Sequence, residues 1–233
     1  MDLGTRNRAI LVVDIEKSSE RTDPRKAALR AALYGVLGGA LRTMPPHRVD
    51  DLGDGVLAVF DSDVLPVLDP LVGDLVQALW RHNATVDPPE WMRLRLGVHF
   101  GLVARDPHGW VGDALTTAFR IVNGAGVKAV LRAAPRAQSI VVLSDAVHQT
   151  VVRPGYAALQ PETYRDLLDD GRRMWIRVPG YATPPVATGA PAAEPVRVEA
   201  PPAKSISIKA RGNVFTADTI GTVDARVGLG PAS

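Results

Sequence analysis

Cysteine is absent from the 233 residues. That excludes a disulfide frame, a thiol nucleophile and any Cys-based zinc site, and it says nothing about compartment. A dominant charge is missing too, because Lys+Arg 27 against Asp+Glu 25 leaves only +2. So small a surplus supplies no field to recruit nucleic acid or an anionic membrane, and neither is expected as a partner. Long apolar runs are missing as well. The first, Ala9 to Val13, is too short for a signal-peptide core or a membrane span, which makes the cytoplasm the expected location. Lysine is scarce beside arginine while Ala, Val and Gly abound, the mix of a GC-rich bacterial genome. The histidines have no metal-ligand spacing. Trp80, Trp91, Trp110 and Trp175 lack the basic stripe of a nucleic-acid surface, so packing or interface roles are expected of them.

What is present is enough apolar sequence, 46%, for one good core. Arg8 to Ile15 is a nearly continuous, β-branched-rich apolar run, as a central strand would be. Thr22-Asp23-Pro24 looks like a helix start, with Asp23 as cap and Pro24 at the first helical position. Leu29, Leu33, Val36, Leu37 and Leu41 then follow at helical spacing. Two short strands, His47 to Leu52 and Val56 to Phe60, meet through Gly53-Asp54-Gly55, a strong hairpin signal. Asp69-Pro70 opens a second helix to about His82. Met92 to Gly101 alternates, with Leu94, Leu96, Val98 and Phe100 on one face and Arg93, Arg95 and His99 on the other. Asp113 to Val122 reads as a helix, Ile140 to Leu143 as a strand, Asp145 to Val152 as a short helix and Met174 to Val178 as a last strand. The expected class is α+β, one sheet with helices on one face.

Three parts are expected: a domain over residues 1–181, a linker over 182–204 and a tail over 205–233. Of the 22 residues Ala182 to Ala203, 7 are Ala and 6 are Pro, the composition of an extended, semi-rigid linker. The tail alternates apolar and polar from Ser205 to Lys209. Gly212-Asn213-Val214-Phe215 and Thr219-Ile220-Gly221-Thr222-Val223 then follow without proline, which fits strand-to-strand pairing as well as a disordered tail. It is similar to short amyloid-like signalling motifs of bacterial proteins, so a protein partner reached through residues 205–230 is one expectation.

Two acidic positions carry the chemistry. Asp14 ends the first strand, followed by Ile15 and Ser18-Ser19, and Asp54 sits between two glycines in a hairpin turn. If the two strands are neighbours, the carboxylates converge where the backbone is open to phosphate oxygens and divalent metal. Each residue alone also reads as an ordinary turn residue. The order of the elements decides between these. VVDIEKSS (12–19), DDLGDGVLAVF (50–60), LRLGVHFGLV (94–103) and WVGDALTTAFRI (110–121) together resemble the class III nucleotidyl cyclase catalytic domain, over residues 8 to 181. Within that group the chain is most similar to actinobacterial proteins that join a compact cyclase-homology domain to a Pro/Ala linker and short tail.

The resemblance implies a ferredoxin-like sheet core and a head-to-tail homodimer with two sites across its interface. It implies a nucleoside triphosphate substrate and two Mg²⁺ or Mn²⁺ ions held by Asp14 and Asp54 with the backbone of Ile15, one activating the 3′-hydroxyl and both holding the triphosphate. The turn at Ile15 and Glu16 would cradle phosphate. Arg120, from the other protomer, would stabilise charge on the transferring phosphoryl group, a task suited to a planar, always-charged fork. His99 matches a family histidine and is expected to be structural.

Departures from the family pattern matter as much. Thr116 stands where the family has a ribose-positioning asparagine; its hydroxyl has shorter reach and no amide fork. Asp50 stands at the adenine-selecting lysine, and the partner aspartate aligns near Gly109. An acid at Asp50 would accept from guanine N1–H and N2–H₂ or cytosine N4–H₂, which disfavours ATP and leaves GTP or a pyrimidine triphosphate. Two functions stay open: a cyclase making a cyclic mononucleotide, or a degenerate cyclase-homology domain that binds nucleotide or scaffolds a dimer and presents its tail to a partner in a bacterial conflict system.

Overall fold

The computed structural model describes residues 5–87, 90–106 and 109–186, and the backbone of three strands in the tail. The first and last residues of the chain, two short interior segments and the linker from 187 to 205 lie outside the described residues. The chain divides into two units, Met1–Pro191 and Ala192–Ser233.

Strand β1 (Arg6–Ile15) is buried from Arg8 to Val13 on both of its faces, as its continuous apolar run requires. It lies between β3 (Gly55–Phe60) and β4 (Leu94–Asp106), antiparallel to both. The sheet order is β2-β3-β1-β4-β6-β8-β7, with β5 (Gly109–Val111) folded back on the end of β4. β2 (Arg48–Asp51) is the edge beyond β3, β6 (Ser139–Ser144) runs parallel to β4, and the hairpin of β7 (Arg165–Asp169) and β8 (Arg172–Arg177) closes the other side. This mixed sheet with helices is the expected α+β class.

Layering differs from the one-faced expectation, because helices cover both faces. On one, Ala9, Leu11, Val13 and Ile15 pack with Val56, Ala58 and Phe60 against Leu29, Leu33 and Leu37 of α1 (Asp23–Thr43) and Leu75 and Leu79 of α3 (Val72–Asn83). On the other, Ile10, Val12, Leu57 and Val59 meet Ala114, Leu115, Ala118 and Val122 of α4 (Asp113–Asn123). Next to it, Val127, Val130 and Leu131 of α5 (Ala125–Ala133) cover Ile140, Val142 and Ile176. The physical reason was already in β1 and β3, since strands apolar at every position need cover on both sides. Two glycines bring α4 down onto β4: a Cβ at Gly97 would stand 3.0 Å from Val122 Cβ, and one at Gly101 2.8 Å from Ala114 Cβ.

Boundaries moved little. Helix α1 begins at Asp23 with Thr22 as cap, one residue earlier than expected. Asp69 before Pro70 is extended, and beyond the one-turn α2 (Val64–Pro66) regular helix resumes as α3. Asp145 opens the short α6 (Asp145–Val147), which widens over His148–Val152. Helix α5 and strand β7 were not expected. In the second unit, β9 (Ile206–Ala210), β10 (Asn213–Thr219) and β11 (Thr222–Asp224) form an antiparallel sheet ordered β11-β10-β9.

Histidine packing sets a pH dependence. His148 is 4% exposed, both ring nitrogens lack hydrogen bonds, and the ring stacks on Trp175 with centroids 3.5 Å apart. Burial lowers its pKa below the ordinary 6.5, with Asp145 opposing and Arg153 reinforcing. The neutral ring is the form the fold accepts, so its contribution to stability is whole above pH 6.5 and is lost as pH falls below that value. Urea midpoints at pH 8 and pH 5 are expected to differ more for the wild type than for His148→Phe. An equal loss in both would remove His148 as the cause.

Candidate active site

Asp14 is the penultimate residue of β1, in register with Gly55 on β3 and Arg95 on β4. Asp54 precedes Gly55 in the hairpin turn. A Cβ at Gly55 would lie 2.3 Å from the Val13 carbonyl oxygen, so only glycine lets the turn close on β1. That close approach lets Ile15 N donate to the Asp54 carbonyl at 3.0 Å. Gly53 supplies the left-handed backbone of the turn, φ +87°. The chain then turns through Lys17, left-handed at φ 57°, into the 3₁₀ turn Ser18–Glu20. Buried Ser18 donates from Oγ to Asp54 Oδ2 at 2.6 Å.

Asp14, Ile15, Glu16 and Asp54 line one cavity of about 320 Å³. Its other side chains include Arg95, Asn123, Lys128 and Arg132. Asp14 pairs with Arg95, which also reaches Asn123 Oδ1 at 3.5 Å. Burial raises the Asp14 carboxyl from 3.8 to about 6 against the pull of Arg95, and the Asp54 charge adds to the rise while Lys128 opposes it. Glu16 is buried and spends its charge on Arg93 at 3.0 Å, while its N–H donates to the Arg93 carbonyl at 2.8 Å. Arg93 in turn donates to the carbonyls of Leu131, Ala134 and Ala137, capping the end of α5, the helix that carries Lys128 and Arg132.

Four of the expected residues do not line this cavity. Asp50 is half-buried on edge strand β2 and paired with Arg48. Gly109 sits in β5 opposite Asp106. Thr116 and Arg120 lie one turn apart on the exposed side of α4. The residues that sequence reasoning missed are Ser18 as a partner of Asp54, and Arg95, Asn123, Lys128 and Arg132. Their only sequence signal was polarity, Arg95 on the polar face of its strand and Lys128 and Arg132 one helical turn apart. His99 binds Ser144, with Nδ1 2.8 Å from Oγ, outside the cavity. Trp110 packs edge-on to His47 and under Arg8.

The donor set fits a divalent cation. Asp14 Oδ2 is buried without a well-formed hydrogen bond, and its ion-pair partner is the Arg95 guanidinium. Among the described residues no group of three His, Asp or Glu side chains gathers that could hold a metal by itself. Two carboxylates would therefore need backbone oxygens and the oxygens of a bound phosphate to complete the shell, the usual arrangement for Mg²⁺.

No protein-family model matches the sequence, and no curated protein does. Solved structures do. An adenylate/guanylate cyclase/hydrolase from Silicibacter pomeroyi aligns with a TM-score of 0.56 at 22% identity, over 76% of this chain and 99% of that one. The guanylyl cyclase Cya2 aligns with a TM-score of 0.55 at 16% identity, over 78% and 98%. The adenylyl cyclase CyaB from P. aeruginosa aligns with a TM-score of 0.52 at 12% identity, over 76% and 96%. No helix among the described residues is long and apolar enough to cross a membrane. The strand order, the paired aspartates at one end of the sheet and these neighbours lead to one conclusion: this chain has the fold of the adenylate and guanylate cyclase catalytic domains.

Proposed function

We propose that the protein is a cytoplasmic nucleotidyl cyclase that converts a nucleoside triphosphate, with GTP or a pyrimidine triphosphate favoured over ATP, into a 3′,5′-cyclic mononucleotide and pyrophosphate. The observation that carries this reading is a cavity lined by both signs of charge, with Asp14, Glu16, Glu20 and Asp54 on the acidic side and Lys17, Arg95, Lys128 and Arg132 on the basic side. A bare cation has no use for the basic side, and a bare anion has none for the acidic side. A metal–polyphosphate complex uses both. In the reaction the ribose 3′-hydroxyl loses its proton to solvent and its oxygen bonds to the α-phosphorus as the bond to pyrophosphate breaks. Asp14 and Asp54 would hold Mg²⁺ or Mn²⁺, which supplies charge neutralisation at the phosphates and a more acidic 3′-hydroxyl. Lys128 and Arg132 would bind the outer phosphates, and Arg95 keeps Asp14 oriented.

Arg120 and Thr116 are exposed and outside this cavity, which supports their acting on the site of a second copy in a homodimer. The reading is tested with ATP, GTP, CTP and UTP offered separately with Mg²⁺ or Mn²⁺, products being read by mass spectrometry. One cyclic mononucleotide names the base. None with any of the four, from a folded protein, overturns the reading.

A second reading has its own support. Thr116 replaces an amide, and the Asp50 carboxylate is engaged by Arg48 instead of standing free for a base. On that reading the domain is a nucleotide-binding or dimeric scaffold, and the tail, a separate unit with its own three-stranded sheet, docks a protein partner. Thr116→Asn separates the two. Turnover is expected to rise by up to about tenfold if the pocket is a weakly active cyclase site, the value of one restored neutral hydrogen bond. No gain favours the scaffold.

A further inference from the structure

Asp54 occupies an exposed hairpin tip, the last place a carboxylate would hold still. Its backbone is pinned by Ile15 N and its side chain by Ser18 Oγ, at 3.0 and 2.6 Å. Ser18 is 6% exposed and is set by the turn that follows left-handed Lys17. Its single hydroxyl proton goes to Asp54 Oδ2, which fixes the rotation of the carboxylate and leaves Oδ1 the oxygen that Ser18 does not engage. Among the described residues no other side chain donates to Asp54. Asp14, by contrast, is held by a full positive charge in Arg95. The two carboxylates are thus oriented by unlike partners, and only the Asp54 partner adds no charge that would compete with a cation.

We infer that Ser18 is a positioning residue for divalent-metal binding: it holds the Asp54 carboxylate toward the cavity shared with Asp14. The inference rests on the reading of Asp14 and Asp54 as metal ligands. A ligand held by an outer hydrogen bond is worth about tenfold or more in metal affinity. The probe is Mn²⁺ alone, titrated into the full chain without nucleotide and followed by the electron paramagnetic resonance of the free ion. Ser18→Ala is expected to bind Mn²⁺ about tenfold more weakly, with an unchanged melting midpoint for the metal-free protein. Ser18→Thr, which keeps the hydroxyl, is expected to bind as the wild type does. Wild-type affinity in Ser18→Ala overturns the inference alone, and so does a Ser18→Thr protein as weak as Ser18→Ala. A wild-type chain that takes up no Mn²⁺ overturns the metal reading itself, and the inference with it.

Discussion

Asp54→Asn is expected to remove nucleotide turnover, by about a thousandfold or more, with no change in the size of the folded particle. On the proposed cyclase reading the rate loss follows because an amide cannot share the charge of a divalent cation, and an electrostatic element aimed at a phosphoryl group supplies several kcal/mol of the barrier reduction. The fold survives for a local reason. The Asp54 main-chain carbonyl that accepts from Ile15 N is untouched, and an amide oxygen still accepts from Ser18 Oγ. Gly53 and Gly55, which set the turn, are unchanged. Steady-state turnover read beside light scattering checks both halves. Full activity in the variant would move the active site elsewhere.

Asp14→Asn should do something opposite to stability. Burial holds this carboxyl at about 6 instead of 3.8, even with Arg95 beside it. In the metal-free protein the group therefore contributes stability that is whole below pH 3.8 and is lost as pH rises through about 6. At pH 8 the ionised form is a burden, and a neutral side chain of the same shape relieves it. The shift to about 6 already includes the pull of Arg95 and corresponds to about 3 kcal/mol; partial solvent access and a buried Arg95 guanidinium left facing an amide oxygen instead of a carboxylate reduce the expected gain to about 1 kcal/mol. That is a melting midpoint higher by about 2–4 °C in the presence of a chelator. Metal binding should vanish in the same variant. A lower midpoint at pH 8 would mean that the Arg95 pairing outweighs burial.

Much of the scaffold was legible from local pattern. The run from Arg8 to Ile15 is apolar at successive positions, and only a strand covered on both faces satisfies that. Gly53-Asp54-Gly55 forces a hairpin because few residues tolerate its backbone. Those two features put Asp14 and Asp54 at one end of a sheet once the strands are neighbours. Other elements hid for physical reasons. Helix α5 follows α4 after a single residue, Gly124, and at nine residues its buried positions Val127, Val130 and Leu131 make too short a pattern to stand apart from the helix before it. Strand β7 is five residues with charged ends, half-buried at the sheet edge.

The sequence by itself determined the two aspartates, the hairpin turn that holds Asp54 and the class of the fold, because these rest on contacts between near neighbours and on backbone preferences. Only the tertiary structure decided what surrounds the carboxylates. Ser18 reaches Asp54 across 36 positions, and Arg95 and Lys128 arrive from later elements. No periodicity links such positions; the sheet order β3-β1-β4-β6 does, by laying the ends of four strands side by side. Charge supplies the rest: a neighbouring cation offsets part of the cost of burying a carboxylate such as Asp14, and which cation answers is settled by packing.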